Sequence, residues 1–334
     1  MVKTSTKNKA FYTMHLFRLL LLVILTSSFS VTSAQEDIPQ LLNKMNQTLE
    51  TGSYRGTFVF MHNGSVETMR IVHGHTPAGV KEKLVSLTGD AREVIRDQDV
   101  LTCIWPKDKL VVIETARSSH GLPSALPENL NDLAFHYKLT EVGQARVAGF
   151  SCRIIRFEPL DEFRYGHELC ISPKVGMLLE SKTFDAKGKA IESMMFTSFR
   201  MLNSVPQTLF EPSVHLNDYT WKTASVELNG ELQPDRAWKI KSLPPGFSLR
   251  SVSRRLMSAS NKPVQHMVLT DGLASVSVFI SKVEDEQRPY QGAHNKGVIN
   301  AYARDLNQHQ ITVVGEVPED TVKMIGSSIF YSNP

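Results

Sequence analysis

The stretch from Cys152 to Cys170, CRIIRFEPLDEFRYGHELC, places two cysteines, the pair His167-Glu168 and three arginines within nineteen residues. A thiol near an imidazole and a carboxylate suits nucleophilic catalysis, the same groups can ligate zinc, and two cysteines alone can form a disulfide. The rest of the chain offers little to complete an active site. It has no Gly-x-Ser-x-Gly elbow, no phosphate-binding loop and no Cys-x-x-Cys, and His167-Glu168 runs on into Leu-Cys-Ile rather than a second zinc-binding histidine. No catalytic residue and no cofactor is therefore expected. Ser118-Ser119-His120 reads as a loop rather than part of a triad. His73-Gly74-His75, with His62 nearby, is the best metal candidate, because residues two apart on a strand share a face. If Asn63-Gly64 makes a hairpin, however, His62 lies at the turn and His73 at the far end, so the imidazoles diverge. They read as surface histidines, and no metal is expected.

The compartment decides what the cysteines mean. Lys3, Lys7, Lys9 and Arg18 precede an apolar run from Leu19 to Leu25, and small residues lead to Thr32-Ser33-Ala34. This predicts a cleaved signal peptide over 1–34, too short in its apolar part to span a bilayer. No cysteine stands at the cleavage point, so lipid attachment there is not expected. The leader holds four of the 37 basic residues and none of the 34 acidic ones, which leaves 33 against 34 in the mature chain. That balance argues against a nucleic-acid partner.

Ile38, Leu41, Leu42, Met45 and Leu49 fall at helical spacing up to Gly52. From Tyr54 to about Met201 the period becomes two, with some ten short runs separated by turn signals such as Thr88-Gly89-Asp90. This predicts an antiparallel meander. An Asn63-Gly64 turn pairs Phe58 with Met69, Phe60 with Glu67 and Met61 with Val66, so both faces carry apolar residues. Such a sheet packs on both sides or encloses a cavity. Leu122–His136 reads as a short helix or lid between strands. Residues 213–235 lose the period and read as a linker, and a second unit over 236–334 closes with a helix after Pro318 that carries Val322, Ile325 and Ile329.

The cysteines then fall on two strands. A hairpin centred on Asp161 sets Cys152 directly opposite Cys170, at a spacing a disulfide accepts, with Glu168 diagonal to Arg156. Ile155, Phe157, Tyr165, His167 and Leu169 form the other face. Cys103 is left over, on a strand with Ile104 and Trp105.

Val147-Ala-Gly149, Arg164-Tyr-Gly166 and Gly176-Met-Leu-Leu-Glu180 resemble the MucB/RseB family. Leu243-Pro-Pro-Gly-Phe247, Asp271-Gly-Leu-Ala-Ser-Val-Ser-Val-Phe-Ile280 and Thr312-Val-Val-Gly-Glu-Val-Pro318 resemble its C-terminal domain. The resemblance implies an α+β protein: an N-terminal open antiparallel half-barrel over 35–212 with helices on its concave side, shaped like the lipoprotein carriers, and a smaller C-terminal α+β domain. It implies a periplasmic regulator that binds the periplasmic region of a membrane-anchored anti-sigma-E factor, shields it from proteolysis and responds to lipid or lipopolysaccharide. Candidate partner contacts are Phe247, Arg250, Arg254, Val313, Val314, Gly315 and Glu316. Candidate lipid-cavity residues are Phe58, Met69 and Ile71. Assembly with a second copy of the chain stays open. A periplasmic lipid or lipoprotein carrier is the alternative, although a carrier has no need of the second domain. Arg250, Arg254 and Arg255 could equally be a solvated strand edge blunted by charge.

Overall fold

A computed structural model describes residues 37–62, 64–76, 79–115, 133–223, 225–226, 234–257, 262–283 and 290–332. The expected signal peptide, Ser118-Ser119-His120 and most of the insertion at 122–136 lie outside the described residues.

The first element is the expected helix, Ile38–Thr51. Asp37 caps it by accepting a hydrogen bond from the Gln40 amide at 2.8 Å, and Pro39 needs no amide in the first turn. Its buried face of Leu41, Leu42 and Met45 packs on the sheet that follows. In that sheet β1 (Tyr54–His62) pairs with β2 (Ser65–Thr76), and Phe58 meets Met69 as the Asn63-Gly64 turn requires. The meander continues through β3 (Gly79–Ser86), β4 (Glu93–Asp97), β5 (Val100–Trp105) and β6 (Leu110–Thr115). On the other flank stand β7 (Tyr137–Val147), β8 (Phe150–Pro159), β9 (Gly166–Ile171), β10 (Leu178–Phe184) and β11 (Ala190–Met201). A last strand, β12 (Thr220–Thr223), joins β6 in parallel, giving twelve strands in the order β12-β6-β5-β4-β3-β2-β1-β11-β10-β9-β8-β7. Among the described residues its two end strands do not pair with each other, so the sheet is open, as the half-barrel expectation requires.

The β8–β9 hairpin differs from expectation. Ile154, not Cys152, stands opposite Cys170, and Arg156 lies directly opposite Glu168 and pairs with it. The pairing is shifted by two residues because Asp161–Tyr165 forms its own turn, with the Phe163 amide donating to Asp161 Oδ1 at 3.0 Å, and β9 begins only at Gly166. Cys152 and Cys170 are bonded across the diagonal, with Cα atoms 5.3 Å apart.

The histidines also need correcting. His75 is exposed, but His73 is buried, stacked on Tyr54 at 4.7 Å and 3.2 Å from Glu82. Near them the buried Lys83 and Glu93 pair at 3.1 Å. Lys83 donates to Ser213 Oγ and to the Glu211 carbonyl, and the Ser213 amide donates to Glu93. These bonds fix the start of the expected linker. That segment is not structureless, since it supplies β12 to the large sheet and β13 (Ser225–Val226) to the second.

The second sheet has seven strands: β13, β15 (Ser248–Met257), β16 (Lys262–Thr270), β17 (Ser275–Lys282), β20 (His309–Gly315), β19 (Ile299–Leu306) and β18 (Gly292–Lys296). The helix Glu319–Ser328 follows Pro318, with Glu319 and Asp320 suiting its positive N-terminus, and buries Val322 and Ile325 on the sheet. Ile329 leaves the helix to begin β21 (Ile329–Tyr331), which pairs with β14 (Trp238–Ile240). Its side chain stays buried, so the helical periodicity found a core residue on the wrong element.

Candidate functional site: a cavity between two domains

A cavity of about 710 Å³ lies between the large sheet and the C-terminal domain. This is within the size range of small-molecule sites. The registers arrange its sheet wall in rows. Phe58 stands between Met69 and Phe196; two residues on, Phe60 faces Met194, Met194 faces Ser181 and Ser181 faces Leu169. Two residues further, His62 faces Glu192, Glu192 faces Thr183 and Thr183 faces His167. The wall thus passes from apolar rows to one polar row. The opposite wall comes from the C-terminal domain, including Ser275, Ser277, Val314, Gly315 and Glu316.

In the polar row His62 Nδ1 is 3.2 Å from Glu192 Oε2, and His167 Nδ1 is 3.3 Å from Thr183 Oγ1. Burial raises the Glu192 carboxyl above the usual range, Glu316 adds to the rise, and His62 opposes it. Partial desolvation likewise raises Glu316, again opposed by His62, although the residue is exposed to solvent. Glu316 of the second domain thus acts on Glu192 of the first, and both line the cavity. Burial pushes the His167 imidazole down from 6.5 to about 4.

A depressed imidazole means that the unfolded chain takes up the proton first. The stability His167 contributes is present above about pH 6.5 and falls as pH drops toward about 4, by at most about 1.4 kcal/mol per pH unit. Glu192 and Glu316, raised in the folded state, act with the opposite sign. Denaturant titrations across this window should show His167→Gln less sensitive to acid than the parent; equal slopes would mean that His167 is solvated.

A second cluster joins the domains. Arg164, in the turn before β9, and Asp271, in the turn after β16, are wholly buried and pair at 2.7 Å. Arg164 also donates to Asp161 and to the Pro245 carbonyl, and its guanidinium lies over the rings of Tyr137 and Phe247 at 5.5 and 5.4 Å. Asp271 accepts from the Leu273 and Ala274 amides through its other oxygen, and the Tyr137 hydroxyl lies 3.5 Å away. Beside this cluster Asn300 donates to the Tyr165 hydroxyl at 2.9 Å and Thr321 to the Phe163 carbonyl at 2.7 Å. Gly246 has φ +80, and a Cβ there would fall 2.2 Å from His136 Nε2 of the first domain, so the Pro-Pro-Gly turn is shaped to this interface.

Phe58 and Met69 line the cavity, as do Val314, Gly315 and Glu316. Ile71 is wholly buried in the first core and does not appear on the cavity wall. Phe247 and Val313 are buried in the second core, which removes them as surface contacts. The cause is strand alternation: Val314 turns toward the cavity, so its neighbour Val313 turns into the core. Arg250 is exposed and Arg254 half-buried, both on β15 and away from the cavity wall. Among the described residues no group of three histidine, cysteine, aspartate or glutamate side chains is placed to hold a metal. The sequence did not single out Arg164, Asp271 or Glu192. Only the family-resembling motifs that contain Arg164 and Asp271 marked their surroundings.

The MucB/RseB N-terminal domain model matches residues 37–214, and the MucB/RseB C-terminal domain model matches residues 232–330. Among curated proteins the chain is similar to the sigma factor AlgU regulatory protein MucB of Pseudomonas aeruginosa, 30% identical over 92% of this chain and 96% of that protein. It is also similar to the sigma-E factor regulatory protein RseB of Haemophilus influenzae, 26% identical over 89% and 92%. Among solved structures it resembles MucB in complex with MucA(peri), with a TM-score of 0.67 and 26% identity over 89% of this chain and 100% of that one. The MucA/MucB complex of Pseudomonas aeruginosa gives a TM-score of 0.68 at 27% identity, over 88% and 98%. With both domain models matched in order along nearly all of the described residues, the chain belongs to the MucB/RseB family.

Proposed function

We propose that this protein is a periplasmic regulator of a sigma-E response that binds the periplasmic region of a membrane-anchored anti-sigma factor and shields it from proteolysis. The observation that carries this function is the likeness over both domains to MucB solved in complex with MucA(peri), which covers all of that chain. The family is one of regulatory binding proteins, and an apolar cavity beside an inter-domain seam suits that character. Partner contact is proposed at the inter-domain seam around Val314, Gly315 and Glu316 and at the exposed Arg250. The finer proposal is that an apolar chain entering the cavity relieves the shielding. Because the cavity wall belongs to both domains, a ligand that fits only one of their arrangements shifts the balance between them.

The test mixes the mature chain with the periplasmic region of a sigma-E antagonist from the same cell, with and without the protease that cuts it. Co-elution on size exclusion and slower cleavage are expected. Separate elution with unchanged cleavage would overturn the regulator assignment.

A further inference from the structure

We propose that the Cys152–Cys170 bond makes the supply of working regulator depend on thiol oxidation while the chain folds, and that the folded protein then keeps the bond whatever its surroundings become. This rests on the proposed periplasmic regulator, in whose compartment cysteines meet an oxidant.

The two cysteines line neither the cavity nor the seam, yet the strand they fasten serves both. β9 starts directly after the turn that sends Arg164 to Asp271 of the second domain, and its His167 and Leu169 line the cavity. Just past its other end the turn over 172–177 receives the first helix. There Lys44 Nζ donates to the Pro173 carbonyl, and Thr48 Oγ1 to the Val175 carbonyl at 3.2 Å. A Cβ on Gly176 would fall 2.5 Å from Thr48 Oγ1, so helix and turn are closely fitted. β9 has only six residues to hold these three contacts together. The bond ties it to β8 across a separation of 18 residues. Without the bond that segment is unrestrained in the unfolded chain, which enlarges the unfolded population on the order of a hundredfold.

Two features make the dependence one-way. Cys152 and Cys170 are 1% and 2% exposed, so an external thiolate cannot reach either sulfur until the fold opens. Cys103, the last of the three cysteines, lies on β5 with six strands between it and β9. Burial pushes its thiol up, so it does not attack the bond from within.

Forming the bond removes two protons and two electrons from the pair. One thiolate attacks the disulfide of a protein thiol oxidase to give a mixed disulfide, the second displaces it, and the donor leaves as a dithiol. A secreted chain that folds where such donors are scarce stays reduced, opens more often and is lost to proteases. The anti-sigma factor is then left unshielded, because a stability loss of this kind lowers abundance several-fold.

The test unfolds and reduces the full mature chain, then refolds one portion with glutathione disulfide and another with dithiothreitol. Intact chain is followed under subtilisin, a protease that dithiothreitol leaves active. The reduced portion should disappear roughly a hundredfold faster, as its larger open population dictates. The same dithiothreitol added after oxidised folding should leave the slow decay unchanged. Equal decay of the two refolded portions, or fast decay at once on late addition, would overturn the proposal. Cys152→Ala/Cys170→Ala should decay like the reduced parent in either buffer, and failure of that variant to fold is the same result in its extreme form. Cys103→Ser should match the parent in both; loss of the redox difference there would assign the effect to another thiol and end the proposal. Oxidised chain that resists subtilisin yet leaves the anti-sigma region open to cleavage would end the regulator assignment and leave the redox dependence standing.

Discussion

Replacing Asp271 by alanine is expected to destabilise the folded chain by about 3 kcal/mol, because it takes from the buried Arg164 guanidinium one of its two carboxylate partners. Neither side chain has any solvent exposure, so water cannot take over the lost bond without opening the seam between the domains. The remaining donors of Arg164 reach the Asp161 carboxylate and the Pro245 carbonyl, which hold the head in place and offset part of its charge. Asp271 also shapes its own turn through Oδ1, which adds the two amides of Leu273 and Ala274 to the loss. The measurement is equilibrium unfolding in urea, with the double variant Arg164→Met/Asp271→Leu as its partner. Removing both charges should recover much of the deficit, since an apolar pair of similar volume avoids the desolvation cost. A loss below about 1 kcal/mol in Asp271→Ala would instead be the cost of an exposed pair, and the seam would have to be far wetter than described.

Local chemistry made some of this architecture legible and left the rest hidden. Asn63-Gly64 allows one tight turn, so the whole β1–β2 register followed from two residues, and with it the alternation that puts Phe58 and Met69 on the cavity side. The β8–β9 hairpin has no such turn. Its connection is longer, and tertiary bonds from Arg164 and Phe163 to the second domain decide where β9 begins, which no count along the strand can anticipate. The same limit hid the site. Glu192 reads as an ordinary polar residue of an alternating strand, and only the arrival of Glu316 from more than a hundred residues away makes it part of a charged row. Ile71 and Val313 show the complementary failure, because apolar type alone does not tell a core face from a cavity face.

Reduction of the Cys152–Cys170 bond is expected to cost about 3 kcal/mol, the loop-closure value for a bridge of its separation of 18 residues. Both sulfurs are buried, so the native protein should resist a reductant that removes the bond readily once the chain is unfolded. The bond closes the segment that carries the 161–165 turn, which the unfolded chain must otherwise order before Arg164 can reach Asp271. Its main effect is thus on the unfolded state, whereas the loss in Asp271→Ala arises in the folded one. The two deficits should therefore add to within about 0.5 kcal/mol when the reduced Asp271→Ala chain is compared with its parents. A combined loss much smaller than the sum would mean that the disulfide holds the turn in place in the folded protein, so that without it Arg164 no longer reaches the seam at all.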